Sequence, residues 1–213
     1  MAAFLDDAAR DGFARAVQTI ETASGAEVVI AIRRRSAGYL HAHVIVGTVI
    51  AFAALAAMLF VEDEFSLGSI LIDPFVAGGL AGALIILAPG VQRVLTPAAR
   101  RRREVTRAAR ATFVERGVAN TRERTGVLVY VSWLERQIEL VFDSGLERKL
   151  APEVRSQAAA ALTAAFGAGG AAVARELEKL AEPLAAAAPH RADDINELPD
   201  AIDSDLGKRK ATS

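Results

Sequence analysis

The stretch LHAHVIVGTVIAFAALAAMLFVEDEF, Leu40 to Phe65, decides how the rest of the chain is read. From His43 to Val61 it holds no Asp, Glu, Lys or Arg. A helix rises about 1.5 Å per residue, so this run covers roughly 28 Å, close to the hydrocarbon thickness of a bilayer. A second apolar run, ILIDPFVAGGLAGALIILAPGV, extends from Ile70 to Val91. Its apolar part from Phe75 to Ala88 is short for a span. Asp73 and Pro74 sit near the start of the run, where an interfacial carboxylate and a first-turn proline are tolerable, and counting from Leu67 instead recovers about twenty residues with Asp73 near the headgroups. Gly78 and Gly82 form a small-xxx-small pair that lets this helix approach the first one closely. The competing reading, one buried core hairpin, is disfavoured because the first run is too long and too free of polar residues for a soluble helix.

The charges around these runs are sorted by position. The chain has 213 residues with 25 Lys+Arg against 26 Asp+Glu, a near-neutral average. Arg33, Arg34 and Arg35 precede the first apolar run, Arg93 and Arg100 to Arg103 follow the second, and Glu62, Asp63 and Glu64 lie between. Short loops rich in Lys and Arg stay on the cytoplasmic side. The pattern therefore predicts a transmembrane hairpin that enters and leaves from the cytoplasm, so the flanking segments can join in one domain with both termini cytoplasmic. The chain contains no cysteine, which excludes disulfides and thiolate chemistry. The N-terminal MAAFLDDAARDGFARAVQTIE lacks a basic region followed by an apolar core and does not read as a signal peptide.

Outward from the hairpin, the apolar positions Leu5, Ala9, Phe13, Ala16, Val17 and Ile20 predict an amphipathic helix ending at Ser24-Gly25. AEVVIAI, Ala26 to Ile32, reads as a strand buried on both faces. After the hairpin, RRRREVTRAARATFVERG predicts a helix stopped by Gly117, with Val105, Ala109 and Phe113 inward. GVLVYVS (Gly126 to Ser132) and RQIELVFD (Arg136 to Asp143) predict an antiparallel strand pair. Helices follow over Pro152 to Phe166 and Ala171 to Ala188, separated by GAGG. The expected division is 1–38 and 93–188 as two parts of one α/β domain, 39–92 as the membrane hairpin, and 189–213 as a polar, disordered tail. A strand, a helical crossover and a second strand make a βαβ unit with the membrane hairpin spliced into the crossover.

TGVLVYVSWLERQIELVFDSGLERKL, Thr125 to Leu150, resembles the core of the TPM domain family, in which an N-G-V-L-L-x-V strand is followed by a charged turn, an alternating strand and a G-L-E-like end. IETASGAEVVIAI, Ile20 to Ile32, is similar to the family's first helix end and strand, and NELPD, Asn196 to Asp200, to the ending of its bacterial membrane-protein branch. The resemblance implies a small α/β domain with a mixed sheet between helices. It also implies scattered functions: assembly or repair of photosynthetic membrane complexes, receptor accessories, and an acid phosphatase in a plant branch. The commonest layout of that family has a signal peptide and a single C-terminal anchor, from which this chain departs.

A phosphatase or metal site needs converging carboxylates. The candidates near strand ends are Glu27, Glu135, Asp143 and Glu147. Asp143 leads them, because the end of a strand entering a loop and helix is where α/β sheets open toward ligands. Asp143, Glu27 and Glu147 are therefore the expected ligands if a divalent cation binds, against the plainer role of turn former or helix cap. His41 and His43 read as interfacial residues, and His190 stands alone in a loop. GAGG lacks the Gly-Lys-Ser/Thr ending of a phosphate loop and follows a helix. FDSGLE lacks the first glycine of a nucleophile elbow. Arg33, Arg34, Arg35, Arg100, Arg101, Arg102 and Arg103, at both membrane exits, fit anionic lipid headgroups better than nucleic acid. Trp133 and Leu134, at the strand-hairpin tip, are placed to meet the membrane, a partner or a neighbouring helix.

The sequence thus predicts a multi-pass inner-membrane protein whose cytoplasmic TPM-like domain is a non-enzymatic interaction, assembly or quality-control module for other membrane proteins. The alternative is a metal-dependent phosphate-ester hydrolase. The expected partners are the bilayer, its anionic lipids and other membrane proteins, and not nucleic acid.

Overall fold

The computed structural model describes residues 4–191, 197–198 and 201–206. In chain order the elements are α1 (Asp7–Ala23), β1 (Glu27–Arg33), α2 (Leu40–Phe60), α3 (Leu67–Leu84), α4 (Pro89–Val94), α5 (Ala98–Glu115), β2 (Gly126–Ser132), β3 (Gln137–Phe142), α6 (Ser144–Lys149), α7 (Pro152–Ala165), α8 (Gly170–Glu178), α9 (Ala181–Ala187) and β4 (Asp203–Ser204). They fall into two compact units, Met1–Ser36 with Arg102–Ser213, and Ala37–Arg101.

The first unit is built on a mixed four-stranded sheet of order β3-β2-β1-β4. β1 and β2 are parallel with Glu27 opposite Gly126, and β2 and β3 are antiparallel with Val127 opposite Phe142. Every residue of β2 is buried, and all of β1 except Arg33, as expected for strands covered on both faces. Successive side chains point to opposite faces, so the strands feed two cores. Val28, Ile30, Ile32, Val127, Val129 and Val131 pack with Phe13, Val17 and Ile20 of α1 and with Leu162, Val173 and Leu177 of α7 and α8. Val29, Ala31, Leu128 and Tyr130 pack with Val105, Ala109 and Phe113 of α5. The sheet is a layer between helices, the sandwich expected from the sequence.

Local chemistry sets the element ends. Asp6 caps α1, its Oδ1 accepting the Ala9 N–H at 2.8 Å. Beyond α5, Gly117 takes the left-handed conformation (φ 66°) that a non-glycine residue rarely adopts. The single helix expected over Ala171 to Ala188 is two helices, α8 and α9. Pro183, in the first turn of α9, has no N–H to continue the earlier hydrogen-bond ladder, so the helix restarts. Trp133 and Leu134, open to three readings in the sequence, pack inward: Leu134 is buried and Trp133 lies against the main core.

The stretch expected to be without order contributes a strand. β4 pairs in parallel with Ala31 and Ile32 of β1. It is pinned by ion pairs of Asp203 with both Arg33 and Arg116, and by the Arg34 N–H donating to Asp205 Oδ1 at 2.6 Å. Residues 192–196, 199–200 and 207–213 of that stretch lie outside the described residues, as do Asn196, Pro199 and Asp200 of NELPD.

In the second unit, α2 and α3 lie against each other over a glycine contact. A Cβ on Gly78 would stand 2.5 Å from the Gly47 carbonyl oxygen, and one on Gly82 would stand 2.9 Å from that of His43. Only glycine permits this approach, and it is the approach foreseen from Gly78 and Gly82. Both Leu40–Phe60 and Leu67–Leu87 are 21 residues long and apolar enough to cross a membrane by length and composition. Pro74 is not in the first turn as expected: α3 starts at Leu67, capped by the Ser66 side chain, so Pro74 is inside the helix and Asp73 in its second turn.

Candidate functional site

The carboxylates singled out by the sequence come to the sheet unevenly. Asp143 ends β3, and because β3 runs antiparallel, that end lies with the amino ends of β1 and β2. It is not the carboxyl edge where parallel sheets open toward ligands. There the Asp143 N–H donates to the Gly126 carbonyl at 2.9 Å, and Gly126 is in register with Glu27. Glu27 and Asp143 thus flank one residue of β2, with Cα atoms about two strand spacings, roughly 10 Å, apart. Glu27 Oε2 accepts the Leu198 N–H at 3.3 Å, and Asp143 Oδ1 accepts that of Ser144 at 2.6 Å, capping α6. Glu147 sits on α6 and takes the Arg155 guanidinium at 2.9 Å. Among the described residues no group of three or more His, Asp or Glu side chains converges as a ligand set. The Arg124 guanidinium lies 3.8 Å from Asp143 Oδ2, beyond hydrogen-bond reach, and among the described residues that buried oxygen has no hydrogen-bond partner.

The carboxyl edge of β1 and β2 carries a polar cluster that the sequence showed only through Glu135. The Ser132 hydroxyl donates to Glu135 Oε2 at 2.5 Å, and the Ser36 N–H donates to Glu135 Oε1 at 3.0 Å. Ser36 Oγ lies 2.6 Å from Ser132 Oγ and 3.3 Å from the Tyr130 hydroxyl. Glu135, Ser132 and Tyr130 are all buried. A buried carboxylate is stable only when its lone pairs are occupied, and here it holds Ser36, the last residue before the chain passes into the second unit. The cluster is a fastening of the β1 exit to β2. No motif announces it, since its members are spread from Ser36 to Glu135.

Burial pushes the Tyr130 hydroxyl above its ordinary value of 10.0, with Glu135 and Asp205 adding to the rise and Ser36 and Arg33 opposing it. The folded chain then keeps this proton at a pH where the unfolded chain has lost it. Stability from this group is therefore complete below pH 10.0 and declines as the pH rises from there toward the folded-state value. Urea unfolding between pH 8 and 11 should show a steeper fall for the natural chain than for Tyr130→Phe; equal slopes would refute the assignment.

The arginines divide by engagement. Arg33 is held by Asp203, and Arg101 donates to the carbonyls of Arg93 and Thr96. Arg34, Arg35, Arg100, Arg102 and Arg103 are exposed and therefore open to solution anions. In the second unit His43 Nδ1 lies 2.8 Å from the Gly82 carbonyl, which only accepts, so Nδ1 carries the proton and ties α2 to α3. His41 Nε2 meets Thr96 Oγ1 at 3.1 Å. Both histidines have structural hydrogen bonds within the second unit. A groove of about 510 Å³ between α2 and α3 is lined by His43, Thr48, Phe52, Phe75, Gly79 and Ala83 among others.

No family model matches the chain, and no curated protein matches it. Among solved structures, the chain is similar to the NMR structure of the BA42 protein from the psychrophilic bacterium Bizionia argentinensis. The two are 16% identical with a TM-score of 0.57, over 94% of this chain and 95% of that one. At that identity the likeness speaks for the fold alone.

Proposed function

We propose that this chain is a multi-pass protein of the bacterial inner membrane whose TPM-like α/β domain faces the cytoplasm and acts as an interaction, assembly or quality-control module for other membrane proteins. The observation that carries the membrane part is the outward surface of α2 and α3. Phe52 is 69%, Phe60 88%, Leu71 68% and Phe75 71% exposed, and none of the apolar window of α2 is buried. A core helix of a soluble protein hides such side chains, whereas hydrocarbon covers them at no cost. The glycine contact supports the same reading, because helices in lipid associate by close backbone packing.

The orientation rests on Arg33 to Arg35 and Arg100 to Arg103 at the two ends of the hairpin and on Glu62 to Glu64 between the helices. The exposed arginines are suited to anionic headgroups, each worth about 1 kcal/mol near the surface. The module role rests on the resemblance of Thr125 to Leu150 to the TPM core. A cysteine at position 63, in a chain with none of its own, is expected to react with an impermeant maleimide added outside intact spheroplasts. One at position 191 is expected to react only after lysis. The reverse pattern would invert the topology, and release of the full chain by carbonate would remove the membrane. Turnover of a phosphate ester by the full chain in detergent, lost in Asp143→Asn, would replace the module reading with the hydrolase.

A further inference from the structure

Asp73 stands where an unpartnered carboxyl group is hard to sustain. It is the seventh residue of α3, so about 9 Å of helix separates it from Leu67 in a span whose 21 residues rise roughly 30 Å. Gly78 and Gly82 turn toward α2. Asp73, five residues before Gly78, is rotated by roughly 140° from it at 100° per residue. It shares its face with the exposed Val76, Leu80 and Leu84, and is itself exposed. The side chain points away from the hairpin's own partner helix, into the space that hydrocarbon would fill on the membrane reading proposed above. Carboxyl groups at such depth pair with another group, since hydrocarbon supplies neither charge nor donor.

The hairpin offers that face no cation, and neither does an identical copy inserted the same way; Ser69, one turn nearer the surface on α3, supplies a hydroxyl without charge. No Lys or Arg occurs between Arg35 and Arg93. The donors of α2 lie deeper, Thr48 about 18 Å and His43 about 26 Å from its Phe60 end, against about 9 Å for Asp73. A copy meeting Asp73 at its own depth presents a second carboxyl group. We infer that the Asp73 face of α3 docks a transmembrane helix of a different protein that carries a lysine or arginine in the outer third of the bilayer. Charge complementarity chooses the occupant, and the Val76, Leu80 and Leu84 side chains along the same face supply the apolar contact. This rests on the membrane reading and gives the module role a contact inside the bilayer.

The test uses the full chain, labelled in the cytoplasmic unit and reconstituted in phosphatidylcholine vesicles, with a labelled leucine-rich transmembrane peptide bearing uncharged flanks. One peptide has a single lysine about 9 Å from its outer end; the control has leucine there. Energy transfer is expected to require at least tenfold less of the lysine peptide than of the control, and Asp73→Leu is expected to abolish that difference. Asp73→Lys is expected to reverse the preference toward an aspartate peptide, which a merely structural role of Asp73 would not produce. Equal transfer from lysine and leucine peptides overturns the proposal. So does Asp73-dependent transfer between two labelled copies without any peptide, which makes the occupant a second copy. Carbonate release of the chain would remove the membrane reading and this proposal together, whereas retention without lysine dependence removes the proposal alone.

Discussion

Gly78→Leu is expected to drive α2 and α3 apart. The ideal Cβ of a residue at 78 lies 2.5 Å from the Gly47 carbonyl oxygen and 2.9 Å from the Ala51 Cβ, and the first of these is backbone that no rotamer change can move. Overpacking a closely fitted contact costs about 3 kcal/mol or more when backbone must shift. The helices would retreat toward the roughly 8–10 Å separation of ordinary helix pairs, breaking the His43–Gly82 hydrogen bond on the way. Spin labels at positions 52 and 75, which border the groove between the helices, are expected to report a longer and broader distance distribution. Gly78→Ala should show a smaller change in the same direction. An unaltered distribution with leucine at 78 means that the helices do not meet at the glycines. Membrane retention should survive the substitution, because each helix keeps the length and apolarity to span alone.

Phe13→Ala is expected to have the other large effect, confined to the α/β unit. Phe13 is fully buried in α1 and belongs to the core that joins α1 to β1, β2 and α8. Removing a buried phenyl ring gives up its transfer free energy and leaves a cavity, together about 3–5 kcal/mol. For a unit of this size that lowers the melting temperature by on the order of 10 °C. Calorimetry of the detergent-solubilised chain should show the shift in the α/β transition, while the spin-label distances in the hairpin stay as they were. Of the candidates on α1, Ala9 and Ala16 are as buried but offer little volume to lose. A change below about 1 kcal/mol would mean that α1 does not close the main core.

Much of this architecture can be read from residues alone because the signals are local. A buried strand such as Glu27–Arg33 is a run of β-branched residues after Ser24-Gly25, and the antiparallel β2–β3 pair follows from a connection too short for anything else. β4 carries no such signal: Asp203 and Ser204 are polar, and they are a strand because Arg33, Arg116 and the open edge of β1 hold them. The helix break before Pro183 was available in the sequence through the missing N–H, yet the continuous alanine-rich pattern around it argues for one helix.

The candidate site divides the same way. Residue type marks Glu27, Glu135, Asp143 and Glu147 as carboxylates near strand ends, but which edge each strand end occupies depends on strand direction. That is how Asp143 comes to share an edge with Glu27 while Glu135 joins Ser36, Ser132 and Tyr130 at the other. Two apolar helices, their glycine contact, the sorting of arginine against glutamate around them and a layered α/β remainder are legible in the residues, since periodicity, length and charge act along the chain. What the carboxylates touch, and that Asp203 and Ser204 add an edge strand to the sheet, come only with the folded chain. Each of these depends on groups distant in sequence meeting at ångström range.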